Sequence, residues 1–223
     1  MRLNKLNKPE PLAKMAFNAL RRSILNNELE IGTVYNEKSL AESLGISRTP
    51  VREALLELAT KKLVRFLPQK GVVLNTFSEK DIDDVFEIRC ALELFSIKKI
   101  WKNYKTLDMS SLEEHLATQK RAVKKGDRMA FMAADRLFHL GFTELTENEY
   151  LFNTMRDIRD VMHLMGYRAL SLDQRMEEVV VEHEQIFHAL ASGDLGQAME
   201  KMENHLETTK QAVLKTMPEI DLP

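Results

Sequence analysis

The chain has 223 residues, and its composition and charge exclude several classes of protein. Eight Gly and six Pro disfavour a turn-rich β-sandwich or barrel, and 44% hydrophobic with 30% charged residues excludes disorder for most of the chain. The single Cys cannot close an intramolecular disulfide, residues 1–16 lack the apolar core of a signal peptide, and no apolar run is as long as a membrane span. We therefore expect a mainly helical, cytoplasmic protein.

The net charge of −2 conceals a difference between the two parts of the chain. Residues 1–77 hold 13 Lys and Arg against seven Glu, a net charge of +6, and residues 78–223 carry −8. A basic segment beside an acidic one indicates that the first meets a polyanion and the second meets something else. We predict two domains with these bounds.

The first domain begins with three predicted helices. Residues 11–30 place Leu12, Met15, Ala16, Leu20 and Ile24 on one apolar face. A short helix over residues 37–44 is followed by Gly45, which suits a left-handed helix terminator. The third helix runs from Arg48 to about Lys62.

The remaining signals in this domain complete a known arrangement. Ser47 can cap the third helix, and Pro50 fits its first turn, where a missing N–H has no cost. Two short strands, residues 63–66 and 72–74, flank turn residues 68–71. Helices followed by a two-stranded ribbon in this order predict a winged helix-turn-helix, whose second helix of the pair enters the DNA major groove.

Polar residues stand where such a domain contacts DNA. Arg48 and Arg52 lie near the N-terminus of the predicted recognition helix, and Arg can donate two hydrogen bonds to guanine. Ser47 and Thr49, with the N–H groups of the first turn, can hold phosphates. An isolated pair of Arg residues is more often solvated surface charge, but the element order, the cap, the Pro position and the local net charge together favour DNA binding.

The preceding helix and the ribbon offer three further candidates. Lys38 and Lys70 would contact the DNA backbone or minor groove, and Gly71 would let the tip of the ribbon approach closely because it has no side chain.

Residues 34–74 resemble the DNA-binding domain of the GntR family of bacterial transcription regulators, most specifically through LAESLGISRTPVREAL. The resemblance implies DNA contacts at Arg48, Arg52 and Lys38, and it identifies Gly71 as the glycine of the wing. The family commonly has Arg at the position of Lys38. The compact ammonium group of Lys cannot make the paired hydrogen bonds of the planar guanidinium of Arg, so its recognition of a base could be less specific.

The second domain is predicted to be helical almost to its end. Ser78, followed by acidic residues, has the character of a helix cap. Periodicity and breaks predict an all-helical bundle with helices near residues 79–103, 109–125, 128–145, 148–169, 173–191 and 195–215.

Four polar residues in this domain have the spacing of a metal site. Asp135 and His139 share one helix face one turn apart, and His183 and His205 lie on two later helices that an antiparallel turn could bring beside them. One carboxylate and three imidazoles suit Zn, Ni, Mn or Fe and leave positions open for an exogenous ligand. The alternative is that these are core or surface histidines with local hydrogen bonds.

Residues 82–210 resemble the FCD ligand-binding domain of the FadR subfamily through FEIRCALE, AADRLFHLGF and EHEQIFHALASGDLGQAMEKMENH. Metal-binding members use an Asp, a His one turn later, and a His from each of two later helices. The resemblance therefore implies a divalent transition metal at Asp135, His139, His183 and His205.

The resemblance also implies an effector and an oligomeric state. The effector is a small organic acid whose carboxylate binds the metal, and the Arg that matches Arg89 faces the cavity. Arg89 could equally form an ion pair with Glu87 or Glu93. A homodimer would bind a pseudo-palindromic operator, commonly as a repressor that the effector releases.

The other histidines and the methionines are interpreted as structural or surface residues. His188 points about 140° away from His183 on an ideal helix, and His115 and His163 have no matching partner. The twelve Met suit a core better than an adaptable ligand pocket.

Three functions are compatible with these residues. The first is a ligand-responsive transcription regulator without enzymatic activity. The second is a metalloenzyme, for which no general base is evident because Glu182 and Glu184 should diverge from His183. The third is a regulator in which the metal itself is the signal, or only a structural clamp.

Overall fold

The computed structural model describes residues 10–217. By their internal contacts they divide into two compact units, one ending at Thr76 and the other beginning at Phe77. The predicted domains also include residues 1–9 and 218–223, which lie outside the described residues, so those bounds stay a prediction. Within the described part, no helix is long and apolar enough to cross a membrane.

The first unit has the predicted winged helix-turn-helix order. It contains α1 (Leu12–Leu25), α2 (Glu37–Leu44), α3 (Arg48–Thr60), β1 (Val64–Leu67) and β2 (Gly71–Leu74). The two strands pair antiparallel, with Val64 opposite Leu74, and an isolated bridge joins Tyr35 to Val72. Leu55 and Leu58 of α3, Val64 of β1 and Val73 of β2 are among the buried side chains, so α3 and the ribbon share one core with α1.

The predicted apolar face of α1 was partly wrong. Ala16, Leu20 and Ile24 are buried as expected, but Met15 is 51% exposed and Phe17 is buried in its place. Met15 and Ile24 are nine residues apart, which is about 180° around a helix, so they cannot share a face. Leu12, in the first turn, is 50% exposed as well, and α1 ends at Leu25, directly before Asn26 and Asn27.

The junction between α2 and α3 is set by caps. Asn36 accepts a hydrogen bond from the N–H of Ser39 at 2.8 Å and so begins α2, and Gly45 ends it with φ of 66°, as predicted. Ser47 occupies the N-cap position of α3 with extended backbone, but its side chain forms no capping hydrogen bond. Its hydroxyl therefore does not satisfy the first-turn N–H groups of α3.

The second unit is a bundle of six helices, which confirms the prediction of an all-helical domain. Its elements are α4 (Glu79–Trp101), α5 (Ser110–Lys125), α6 (Arg128–Glu144), α7 (Glu149–Gly166), α8 (Arg175–Ser192) and α9 (Leu195–Lys215), with a 3₁₀ turn over Tyr167–Ser171. Ser78 and Asp81 form a reciprocal capping box at the start of α4.

Each helix of this bundle contributes at least one buried polar side chain to the interior. The set is Arg89 on α4, Gln119 on α5, His139 on α6, Arg159 on α7, His183 on α8 and His205 on α9. Buried polar groups are costly unless they are paired, so such a convergence indicates a network or a site and not ordinary core packing.

Candidate functional site

A concave surface of the first unit collects most of the predicted DNA contacts. Its lining residues include Lys38 from α2, Arg48 and Arg52 from α3, and Lys70 and Gly71 from the ribbon. We call this surface the basic cleft. Ser47 and Thr49 are exposed at the N-terminus of α3 but do not line the cleft.

Glu37, which sequence analysis did not single out, holds the two arginines side by side. Its two carboxylate oxygens lie 3.7 Å from Nη2 of Arg48 and 3.7 Å from Nη1 of Arg52. Both guanidinium groups are largely exposed, and exposed pairs of this kind contribute little to stability. Glu37 can therefore orient the arginines and still release them to base edges or phosphates.

Gly71 also has a structural role inside the first unit. Its φ is 133°, and a Cβ atom there would lie 2.3 Å from the carbonyl oxygen of Tyr35. The glycine is thus fixed by the close backbone approach that pairs Tyr35 with Val72 inside the unit.

Gly71→Ala is expected to destabilise the first unit by about 3 kcal/mol, because the new methyl group meets rigid backbone and the positive φ is strained. Gly45→Ala is the matched control, since Gly45 also has positive φ but open space around it, and it should cost about 1 kcal/mol. Hydrogen exchange of peptides from residues 10–76 measures both. Equal effects of the two substitutions would show that the approach of Tyr35 does not matter.

Three histidines meet in the interior of the second unit. One ring nitrogen from each of His139, His183 and His205 lies within 4.8 Å of the other two, and all three residues are buried. Nε2 of His183 is 3.3 Å from Nε2 of His205. Two nitrogens bound to one tetrahedral zinc lie about 3.4 Å apart, so this spacing fits a shared ion.

The other ring nitrogen of each histidine has its own acceptor. Nδ1 of His139 donates to Glu93 at 2.5 Å, Nδ1 of His183 donates to Gln119 at 2.8 Å, and Nδ1 of His205 donates to Glu182 at 2.6 Å. In the neutral rings of His139 and His183 these contacts place the proton on Nδ1 and leave the lone pair on Nε2. Such partners orient metal-binding imidazoles in known sites.

The contact between His183 and His205 brings two imidazole nitrogens together at 3.3 Å. Two such nitrogens in a buried site need a proton or a cation between them, because two facing lone pairs are unfavourable. The residues present therefore fit a divalent metal ion.

Protonation of the centre is opposed by its surroundings. Burial, followed by the positive charge of neighbouring groups, lowers the pKa of His139 and of His183 well below the usual value. Both imidazoles are neutral at pH 7, as metal ligands must be.

Asp135 lies beside the three histidines and also accepts a hydrogen bond from an arginine. Its Oδ1 is 3.9 Å from Nε2 of His139 and 3.8 Å from Nε2 of His183, while its Oδ2 accepts a hydrogen bond from Arg159. Burial alone would raise the pKa of Asp135, but Arg159, His139 and Arg89 hold it below the ordinary value. The carboxylate is ionised and faces the centre.

Arg89 forms an ion pair and also lines a cavity. Its Nε donates to Glu93 at 2.6 Å, so Glu93 and not Glu87 is its ion-pair partner, and its Nη2 donates to Nε2 of His139 at 2.8 Å. Within the described residues its Nη1 has no partner. The side chain is buried and lines a cavity beside the histidines.

That cavity has a volume of about 40 Å³, room for about three waters. Both charged and apolar side chains line it. The polar residues around it are Arg89, Asp135, Arg159, Arg175, His205 and Thr209, and Met132 and Met162 are among the apolar ones. These two Met residues are buried core residues that also line a pocket, so the two interpretations of the methionines are not exclusive here.

Arg175 was missed by sequence analysis, and it connects the cavity to a histidine. Its Nη1 and Nη2 donate to the two oxygens of Glu182 at 2.7 and 3.0 Å, and Nη2 also donates to Thr209. Burial would raise the pKa of Glu182, but hydrogen bonds from His205 and Arg175 lower it. The carboxylate of Glu182 points away from His183, as predicted, and accepts a hydrogen bond from His205.

The three unassigned histidines remain outside the centre. His188 is exposed, as its helix position predicts, and His115 is partly buried. His163 is buried on α7, and burial lowers its pKa to about 4.

His163 is expected to make the second unit acid-sensitive. Its pKa is lower in the folded state, so the unfolded chain binds the extra proton, and the free energy of unfolding falls as pH falls from about 6.5 towards 4. His163→Gln should reduce this loss by about 2 kcal/mol at the acid end of the window. Urea unfolding at neutral and acid pH measures the difference, and parallel pH profiles of the two proteins would contradict it.

Two family models match the chain. Residues 84–208 match the FCD domain, and residues 12–74 match the bacterial regulatory proteins of the gntR family.

Similar proteins match most of the chain. An HTH-type transcriptional regulator in an unstable DNA locus of Streptomyces ambofaciens is 32% identical over 84% of this chain and 78% of its own. The HTH-type transcriptional repressor RspR of Escherichia coli K12 is 27% identical over 93% of this chain and 91% of its own. The fold is similar to that of a GntR regulator from Rhodococcus sp. RHA1, with a TM-score of 0.82, 22% identity, and coverage of 92% and 99%.

Proposed function

Because the chain belongs to the GntR family of bacterial regulatory proteins and carries an FCD domain, it is a DNA-binding transcription regulator and not an enzyme, and we propose that a small organic acid bound at a metal in its second unit controls its affinity for DNA. The metalloenzyme interpretation is dropped. The relative RspR is a repressor, and repression released by the effector is the direction we propose here. A protein with this role works in the cytoplasm, where the chromosome lies.

The basic cleft is the proposed DNA-binding surface. Arg48 and Arg52 would donate to guanine in the major groove, held in parallel by Glu37 until DNA replaces it. Lys38 and Lys70 would contact phosphates from either side of α3, and exposed Ser47 and Thr49 would add contacts at its N-terminus. We propose a homodimer, because two such helices related by a two-fold axis match a pseudo-palindromic operator.

The proposed metal ligands are Nε2 of His139, His183 and His205 with Oδ1 of Asp135. Imidazoles with one carboxylate suit Zn, Ni, Mn or Fe. A bound ion would supply the positive charge that holds the effector's carboxylate. The single observation that carries this proposal is the convergence of one ring nitrogen from each of three buried histidines within 4.8 Å, two of them 3.3 Å apart.

The cavity beside the centre limits the effector. Arg89, Arg159 and Arg175 line it, and the Nη1 of Arg89, which has no partner within the described residues, is a donor suited to an anion. With room for about three waters, the cavity suits a compact carboxylate and not an extended one.

Operator binding with and without metal tests this proposal. A duplex selected from random sequence serves as the operator, and its affinity is measured for protein loaded with zinc and for protein stripped with a chelator, each against a panel of small carboxylates. We expect some members to weaken binding of the zinc-loaded protein only. Shifts of equal size with and without zinc would overturn the metal-dependent effector, and a change of affinity caused by zinc alone would favour the metal as the signal.

A further inference from the structure

Arg89 occupies the lone pair of a proposed metal ligand. Nδ1 of His139 is protonated because it donates to Glu93 at 2.5 Å, so Nε2 is an acceptor with a single lone pair. Nη2 of Arg89 donates to that lone pair at 2.8 Å. An Arg side chain has only donors, so no other assignment of this contact is possible.

The hydrogen bond and a metal bond at this nitrogen exclude each other. An imidazole nitrogen with one lone pair either accepts the N–H of Arg89 or coordinates a cation. A guanidinium this close would also repel the cation across a buried site of low dielectric. Arg89 therefore has to move its Nη2 away from His139 when the centre takes up a metal ion.

Arg89 can turn its Nη2 towards the cavity and keep its ion pair with Glu93. Its Nε is anchored to Glu93 at 2.6 Å, its Nη1 has no partner within the described residues, and its side chain lines the cavity. Once Nη2 loses His139, both Nη atoms are donors without acceptors in a buried site, which is costly. An anion in the cavity would satisfy both of them.

Charge balance points in the same direction. Three carboxylates contact or face the histidines, and each is paired with one arginine: Glu93 with Arg89, Asp135 with Arg159, and Glu182 with Arg175. These six groups sum to zero. A divalent cation added to this balanced interior leaves two positive charges uncompensated, and buried charge without a counter-ion is strongly unfavourable.

We propose, on the basis of the metal site in the proposed function, that Arg89 competes with the metal ion for Nε2 of His139. Once the metal ion displaces it, the guanidinium of Arg89 binds a carboxylate in the cavity. Metal and anion then bind with positive cooperativity, each increasing the affinity for the other by the same factor.

The zinc dissociation constant of the full chain tests this coupling. It is measured by competition with a chromophoric chelator, with and without saturating sodium acetate, and sodium chloride keeps the ionic strength constant. In the native sequence acetate should tighten zinc binding about tenfold, the size of effect that charge-assisted hydrogen bonds produce. Arg89→Met should bind zinc about tenfold more tightly without acetate and show a smaller acetate effect, because only the metal then holds the carboxylate.

Two further variants control for charge and for folding. Arg136→Met removes a buried-site cation that is paired with Asp160 and lies outside the three carboxylate–arginine pairs named above, and it should behave like the native sequence. Arg89→Met with Glu93→Gln removes the buried ion pair as a unit and leaves an amide oxygen to accept from His139, so it covers the case in which the single variant fails to fold.

The possible outcomes separate this inference from the function on which it rests. Unchanged or weaker zinc binding in the Arg89 variants, with the acetate effect intact, would overturn the role of Arg89 and leave the metal site standing. Failure of every variant and of the native sequence to bind zinc would overturn the metal site and the competition together.

Discussion

Replacing Arg52 with Ala is expected to lower operator affinity at least about a hundredfold while the helical fold stays intact. A bidentate contact to guanine contributes about 1–3 kcal/mol, and a two-fold dimer loses it twice. The side chain is exposed and its pairing with Glu37 is loose, so its removal leaves no buried group unsatisfied. Fluorescence anisotropy with the selected operator measures the affinity, and circular dichroism checks the fold.

Arg22 supplies the matched control for this substitution. It is an exposed Arg of α1 in the same unit that does not line the basic cleft, so Arg22→Ala should change operator affinity by less than about threefold. The native protein should also bind less tightly as salt rises, because phosphate contacts release counterions, and Arg52→Ala should flatten that dependence. Normal operator binding by Arg52→Ala would show that α3 is not the recognition helix.

Replacing His183 with Ala is expected to lower metal affinity about a thousandfold or more. The substitution removes one of the three converging imidazoles. Gln119 then loses its hydrogen-bond donor, and Nε2 of His205 loses the nitrogen that lies beside it. His188→Ala is the control, because His188 is exposed on the same helix five residues away. Titration of stripped protein with zinc measures both, and equal affinities would remove His183 from the ligand set.

Local signals predicted most of the elements of this fold. Gly45, Gly126 and Gly193 end helices in the left-handed conformation, and the Ser78 capping box begins α4. These helix ends can be predicted because each depends on a few neighbouring residues in the sequence. The face of α1 was mistaken at Met15, because side chains at mixed three- and four-residue steps drift around a helix and only the position of α3 decides which are buried.

The candidate site was predicted in part, for a similar reason. Asp135 and His139 share a turn, so their proximity follows from helix geometry, and His183 and His205 followed from family resemblance. Their partners Glu93, Gln119, Arg159 and Glu182 come from four different helices and are distant in sequence from the ligands they contact. Nothing local indicates such pairs, since they depend on how the six helices pack.

Metal content of the native, untagged protein tests the central claim most directly. Mass spectrometry of protein purified without chelators, compared with His183→Ala under identical handling, should find about one divalent transition metal per chain in the native sequence and almost none in the variant. That result would support the ligand set of three histidines and Asp135. A native protein that holds no metal, and takes up none when reloaded with zinc, nickel, manganese or iron, would contradict it.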